Sequence, residues 1–225
     1  EAALKHFNIS LDNDEDSLFK ARAMYWKAES EYVLNNFDAA LISFIQYQKM
    51  PVAKNTVEYK NLDYNLGYTY FKLKDYSNSI SYFNKYSTAS TEDKVRLNDA
   101  YLRLGDSYFV SSKYWPAIET YNKSLELDGS EKDYAAYQKA LSYGFIGRNA
   151  TKIESLNKLI ATYTKSTLKD DALFELGNAY VKDNKISQGL KAYDRLILEY
   201  KGSSLAPKAL LRQGLVHYNA NEIKK

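Results

Sequence analysis

The sequence predicts an all-α solenoid of antiparallel helix pairs, and three observations carry that prediction. A phrase recurs: Leu66-Gly67 with Tyr70, Leu104-Gly105 with Tyr108, and Leu176-Gly177 with Tyr180. A second phrase follows it, an aromatic, a small residue and another aromatic: Tyr76, Ser79 and Phe83, then Tyr114, Ala117 and Tyr121. The small residues Ala28, Gly67, Gly105, Ala140, Gly177 and Gly214 are spaced by 39, 38, 35, 37 and 37 residues. Self-similarity at this period marks a stack of supersecondary units, each burying its apolar face against its neighbours.

Composition agrees. Of 225 residues, 45% are hydrophobic, with 3 prolines and 9 glycines, a scarcity of breakers that favours long helices. No run of about 18 apolar residues occurs, so this segment does not insert into a membrane. The 31 basic and 28 acidic residues leave a net charge of +3. They are scattered singly over outward faces such as Lys72-Lys74 and Lys152-Lys158, so no nucleic-acid footprint is expected. Without cysteine there is no disulfide, thiolate metal site or cysteine nucleophile.

Taken in order, residues 1–12 read as the second helix of a preceding repeat, with Ala3 and Phe7 at the small and aromatic places. Repeat one covers 17–50, with Lys27-Ala28 in place of Leu-Gly and Glu31 where tyrosine is usual, followed by Phe37, Ala40 and Phe44. Repeat two covers 55–88, a helix from Val57 to Leu73, a turn at Lys74-Asp75 and a helix from Tyr76 to Tyr86. Repeat three covers 92–128. From Glu92 to Ser112, Val95, Leu97, Ala100, Tyr101, Leu104, Tyr108 and Phe109 fall at three- and four-residue steps. Gly105 sits inside that helix at a cost of about 1 kcal/mol against alanine, which implies that a partner helix crosses at this recurring small position.

The second helix of repeat three opens at Lys113-Tyr114, with Pro116 in its first turn, where the missing N–H does no harm. Asp128-Gly129-Ser130 ends it. Repeat four, 131–164, matches at Ala140, Tyr143 and Leu156 but poorly at Asn149 and Lys152. Repeat five, 168–201, carries Leu176-Gly177, Tyr180, Ile186, Gly189 and Tyr193. Residues 205–225 give the first helix of a sixth repeat and the opening of its second. Neither end reads as a polar capping element, so the sequence is expected to be a segment of a longer array.

These residues resemble the tetratricopeptide repeat (TPR) family, whose pattern places Leu-Gly and Tyr on a first helix and Tyr, Ala and Tyr or Phe on a second. The resemblance implies a right-handed superhelical solenoid with about five full repeats and partial repeats at both ends. It also implies a non-catalytic scaffold that binds a protein or peptide. A narrower resemblance rests on Leu159 to Ser166 with Asp171 to Gly177, and on the near copy Leu196 to Ser203 with Lys208 to Gly214. It is to the TPR subfamily of bacterial envelope proteins, which includes outer-membrane assembly lipoproteins and the Tol–Pal coordinator. The proline usual in their turn is replaced here by Thr164 and Lys201. This implies a periplasmic or cell-envelope location, with the cytoplasm as the alternative; a lack of cysteine fits both.

Chemistry-bearing motifs are sparse. His6 and His217, the only histidines, lie at opposite ends, whereas triads and histidine metal sites need such residues together. No phosphate loop, HExxH or dinucleotide fingerprint occurs. Asp12 to Asp16 resembles the start of an EF-hand loop, but Ser17 stands where glycine is required and Ala23 where the bidentate glutamate would be. Helix capping is the better reading of those acids. No catalytic residue, metal or cofactor is assigned.

Most of the 22 tyrosines fall at repeat-determined packing positions. The family's concave surface is lined by the other face of the first helices, which here holds Tyr25, Glu29 and Tyr32; Tyr64, Tyr68 and Phe71; Leu102, Asp106 and Phe109; Tyr137 and Leu141; and Phe174, Asn178 and Val181. Such an aromatic face supplies large contact area at low entropy cost. The lysine–asparagine carboxylate clamp of chaperone-binding relatives is missing, since Tyr25, Tyr64, Leu102, Tyr137 and Phe174 occupy the lysine places. Recognition of an acidic C-terminal peptide is therefore not expected. A structural segment that associates with itself is the alternative reading.

Overall fold

The computed structural model describes residues 1–12, 16–89, 92–127 and 129–222, and its regular elements are helical throughout. In chain order these are α1 (Ala2–Asp12), α2 (Ser17–Val33), α3 (Phe37–Lys49), α4 (Leu62–Lys72), α5 (Tyr76–Thr88), α6 (Lys94–Val110), α7 (Tyr114–Glu126), α8 (Lys132–Phe145), α9 (Asn149–Thr162), α10 (Lys169–Lys182), α11 (Ile186–Glu199) and α12 (Ala206–Glu222). Two 3₁₀ turns, Ala53–Asn55 and Tyr59–Asn61, separate α3 from α4. The chain forms two units, residues 1–112 and 113–225. Within each, every helix packs on the next.

One turn design recurs between the helices of a pair. The chain reverses through a residue in the left-handed region: Asn35 (φ 62°), Lys74 (φ 61°), Gly147 (φ 76°) and Asn184 (φ 57°); Ser112 (φ 58°), after α6, has the same backbone conformation. Around it the amides of Asn36, Asp75, Arg148 and Lys185 donate to the carbonyls of Glu31, Tyr70, Tyr143 and Tyr180 at 2.8–2.9 Å. This is the Schellman closure, which satisfies carbonyls that the helix end leaves open. Asp16, Asp75 and Asp93 cap α2, α5 and α6 by accepting from backbone amides. Of the stretch Asp12 to Asp16, whose acids are read as capping, residues 13–15 lie outside the described residues, as does Asp128 of the turn expected after α7.

In the first unit, Ala28, Ala40, Phe44, Tyr47, Leu62 and Leu66 form one buried cluster, and Phe83, Tyr86, Ala100 and Leu104 another. Gly67 is small because a Cβ there would lie 2.8 Å from the Phe83 ring. Ser79 and Ser107, both fully buried, meet hydroxyl to hydroxyl at 3.1 Å. Glu31, in the place usually held by tyrosine, is buried too; it accepts from the Ser43 hydroxyl at 2.6 Å and faces Lys27 at 4.0 Å.

The helix expected from Val57 begins only at Leu62. The reason is Glu58, which is 4% exposed and docks on α2, accepting from Arg22 Nε at 2.9 Å and Trp26 Nε1 at 3.1 Å. Burial pushes its pKa up, but these hydrogen bonds and the Arg22 charge outweigh that and hold it below the usual carboxylate range. Residue 56 is extended, and the Thr56 hydroxyl donates to the Ala53 carbonyl at 2.7 Å. The segment is thereby held against Tyr47 rather than wound into α4.

The second unit has one core, from Ala140, Leu156 and Leu159 through Leu173, Leu176 and Tyr193 to Leu196 and Ala209. A Cβ on Gly177 would run into the Tyr193 ring. At Gly189 it would meet Val181 Cγ2 at 2.6 Å and the Gly177 carbonyl at 3.1 Å. The poorly matching residues of repeat four have structural work. Asn149 Nδ2 donates to the Ala179 carbonyl at 2.8 Å, and Lys152 lays its stem over Gly144 and pairs with Glu175 at 2.5 Å. Helix α12 runs unbroken to Glu222, so the expected opening of a second helix does not occur before residue 222. A Cβ at Gly214 meets nothing within 4 Å, unlike its counterparts at Gly67 and Gly177.

Gly177→Ala should therefore destabilise the chain, by about 1–3 kcal/mol of overpacking less about 1 kcal/mol of helix propensity. Gly214→Ala should stabilise it by up to about 1 kcal/mol, since only the propensity gain applies; urea denaturation of the two variants beside the parent chain checks both. Lys74→Gly removes the left-handed penalty on a residue with a Cβ and should raise stability by about 1 kcal/mol in the same assay.

Candidate functional site

Three first helices of the first unit carry the aromatic face. On α2, Tyr25 is buried, Glu29 half-buried and Tyr32 half-buried. On α4, Tyr64, Tyr68 and Phe71 are half-buried; on α6, Leu102 and Asp106 are buried and Phe109 half-buried. Glu29, Tyr32, Tyr64 and Tyr68 come together around one cavity of about 220 Å³, completed by Phe44 and Asn65. Tyr25 and Leu102 are buried in the packing instead, each under 4% exposed. Phe71 turns its ring edge-on to Tyr76 at 5.7 Å.

The rings of this face are locked by contacts and hydrogen bonds. Tyr64 and Tyr68 lie edge-to-face at 5.1 Å, and both meet Phe83 in the same geometry, at 6.2 and 5.3 Å. Their hydroxyls converge on one carboxylate oxygen, Asp99 Oδ2, at 2.7 and 2.5 Å. Arg103 donates from Nε to the Tyr68 hydroxyl at 3.2 Å and from Nη1 to Asp106 at 2.7 Å, and lies 3.6 Å from Asp99 Oδ1. On α2, the Tyr25 hydroxyl donates to Glu29 Oε1 at 3.0 Å. The Asn65 amide donates both to that hydroxyl and to Glu29.

Burial pushes the phenols of Tyr25, Tyr64 and Tyr68 well above their ordinary range, and neighbouring carboxylates add to the shift, Glu29 for Tyr25 and Asp99 for the other two. Tyr32 is raised to about 12 by burial first, then by Glu29 and Asp99. The shifts report a site that resists further negative charge.

Sequence reasoning did not assign Phe44, Asn65, Asp99 or Arg103 to the site, Phe44 being read only as a packing residue of repeat one. The signal for part of the set was present: Asp99, Arg103 and Asp106 at four- and three-residue steps share one face of α6.

In the second unit the expected residues have quieter surroundings. Phe174 packs 6.0 Å from Tyr193, and Asn178 Oδ1 accepts from the Tyr193 hydroxyl at 2.7 Å. Tyr137 packs against the core, and its phenol is raised by burial and then by Asp171, Glu175 and Asp170. Leu141 is half-buried, and Val181 closes on Gly189. A hollow of about 380 Å³ lies elsewhere in this unit, among Asn122, Leu125, Lys132, Lys139, Lys158 and Tyr163. Burial, and then Lys158, push the Lys139 ammonium down. Among the described residues no cluster of three histidines or carboxylates is arranged to hold a metal ion. None of the described helices is long and apolar enough to cross a membrane.

Comparison with known proteins agrees with this architecture. Tetratricopeptide repeat models match residues 64–92 and 174–225. The apo form of RapI superposes with a TM-score of 0.80 at 14% identity over 96% of this chain; the chain covers 64% of RapI. YrrB, a TPR protein with an unusual peptide-binding site, gives a TM-score of 0.69 at 17% identity, covering 92% of this chain and 98% of its own. MamA from Desulfovibrio magneticus RS-1 gives 0.66 at 14% identity, covering 82% and 97%. No curated protein matches the sequence. TPR repeats are thus present in this chain, and its fold is TPR-like. Proteins of this kind are in general non-enzymatic and bind protein or peptide partners, so the fold suggests an interaction scaffold.

A phenol whose folded pKa exceeds its unfolded value near 10 stabilises the fold fully below that pH, and the contribution is lost as pH rises through the folded pKa. Tyr32 and Tyr193, both raised to about 12, set the window. Thermal melts by circular dichroism should therefore show the melting temperature falling steadily from pH 10 to pH 12. Ultraviolet titration should show the buried phenols ionising only with unfolding.

Proposed function

We propose that this chain holds an extended peptide or a partner helix on the aromatic face of α2, α4 and α6, acting as a non-catalytic scaffold. The observation that carries the reading is the meeting of Glu29, Tyr32, Tyr64 and Tyr68 around one cavity on first helices. Their fixed rings offer contact area whose rotamer entropy is already lost on folding, the property that makes aromatic anchors effective. The corresponding residues of α8 and α10, Tyr137, Leu141, Phe174, Asn178 and Val181, extend the proposal to the second unit. It keeps the division of 1–225 into a single array of full and partial repeats that the sequence suggests.

A structural role, in which the repeats self-associate or join a larger assembly, is the second reading. Exposed apolar side chains along α12 favour it: Leu210, Leu211, Leu215 and Tyr218 are 44–65% exposed. A role in bacterial envelope assembly rests on the Leu159–Gly177 and Leu196–Gly214 near copies, and subcellular fractionation of the native host tests it.

The double variant Tyr68→Ala, Phe109→Ala should lose at least about tenfold in affinity for peptides selected on the parent chain, as for an anchor of about 2 kcal/mol. Its helical circular dichroism should stay that of the parent. Retained affinity with retained helicity would move the binding surface away from this face.

A further inference from the structure

We infer that the cavity between α2, α3 and α4 seats a basic side chain, arginine or lysine, of a peptide partner. The inference rests on the groove reading above and names the partner residue that enters it. Its basis is the hydrogen-bonding capacity left over at the cavity wall. Glu29 Oε1 is held by Tyr25 and Asn65, while Oε2 has no partner among the described residues. Both protons of the Asn65 amide are committed, to Tyr25 and Glu29, so its carbonyl oxygen Oδ1 is the free end. Tyr64 and Tyr68 spend their protons on Asp99, which leaves their phenol oxygens as acceptors, that of Tyr68 already shared with Arg103. The Tyr32 hydroxyl has no hydrogen-bond partner among the described residues and can accept as well as donate. What the wall offers is therefore acceptors, with the Tyr32 hydroxyl as an uncommitted donor beside them, and a ligand rich in donors answers it.

Charge and shape point the same way. Glu29 lines the cavity, and Asp99 holds the hydroxyls of two of its rings, Tyr64 and Tyr68. Against them stand Arg103, bound to Asp99 and Asp106, and Arg96, bound to Asp93 and Asn61. Glu29 itself keeps a charge with no ion-pair partner among the described residues. The walls are the rings of Tyr32, Phe44, Tyr64 and Tyr68, whose π faces attract a cation. Tyr64 already shows this, with the Arg96 guanidinium 5.5 Å from its centroid. A volume of about 220 Å³ is below the roughly 300–1,000 Å³ of sites for drug-sized ligands, and suits one long side chain. An apolar side chain would cover Glu29 Oε2 without pairing it, and a carboxylate would face the Glu29 charge with only the Tyr32 hydroxyl to donate to it.

The test uses the whole chain with ring-labelled tyrosine and four probes: the N-acetyl methylamides of arginine, lysine, norleucine and glutamate. The arginine and lysine probes should shift the ring resonances of Tyr32, Tyr64 and Tyr68 saturably. Norleucine should bind at least about tenfold more weakly, the value of one charge-assisted hydrogen bond, and glutamate not at all. Glu29→Gln should remove the preference for the cationic probes while keeping the parent's helicity and the weak norleucine response. Norleucine binding as tightly as lysine, an unchanged preference in Glu29→Gln, or no response to either cation would overturn the inference. Panning random octapeptides separates this from the groove itself. Peptides enriched in one basic residue, and released by Glu29→Gln, support both readings. Peptides without a basic preference that are lost on Tyr68→Ala, Phe109→Ala overturn the basic-residue inference and leave the groove. Peptides insensitive to that double variant overturn the groove, and with it the partner assignment made here.

Discussion

An aromatic ring lying on bare helical backbone is the contact on which the helix pairs depend. Phe83 covers Gly67 and Tyr193 covers Gly177 so closely that a single added carbon would not fit. Each contact draws the second helix of a pair onto the first, and the buried clusters around Phe44, Phe83 and Tyr193 grow outward from it. The left-handed turn residue sets where the second helix begins, and the ring on the small residue sets how near it comes. A glycine inside a helix costs propensity, but here that cost is offset by the area the ring buries.

Where the small-and-ring pattern is lost, other side chains fill the same geometry. Lys152 lies over Gly144 with its methylene stem and places its ammonium on Glu175, so a charged residue packs as an apolar one would. Glu31 is tolerated in a tyrosine's place because Ser43 and Lys27 satisfy it. The repeats thus keep their backbone spacing while their side-chain chemistry diverges. The segment between α3 and α4 departs further, giving up a turn of helix so that Glu58 can reach Arg22 and Trp26.

The aromatic face of the first unit depends on the same packing from the other side. Phe83, held against Gly67, is also the ring on which Tyr64 and Tyr68 rest. Asp99 then fixes both hydroxyls from the neighbouring repeat, so stability and presentation share residues. A surface fixed in this way loses little entropy when it binds. Most of its donors are committed within the fold, those of Tyr25, Tyr64, Tyr68 and Asn65 among them.

The repeat period, the helix pairs and the turn at Lys74 were legible in the sequence because each is local: small and aromatic residues at fixed offsets, few breakers, and a 35–39-residue spacing that returns in the left-handed residues. The ring contact at Gly67 could likewise be inferred from the recurring cost of a mid-helix glycine. The sequence also placed Glu29, Tyr32, Tyr64 and Tyr68 on one face. It did not separate them from Tyr25 and Leu102, which share the helical phase but sink into the core, because depth depends on how far the adjacent helix leans over. Asn65, Asp99 and Arg103 escaped notice for a related reason, since their partners lie 31 to 40 residues away and meet only across packed helices. The start of α4 at Leu62 and the burial of Glu58 were likewise tertiary decisions, made by a carboxylate seeking donors on a helix far behind it in the chain.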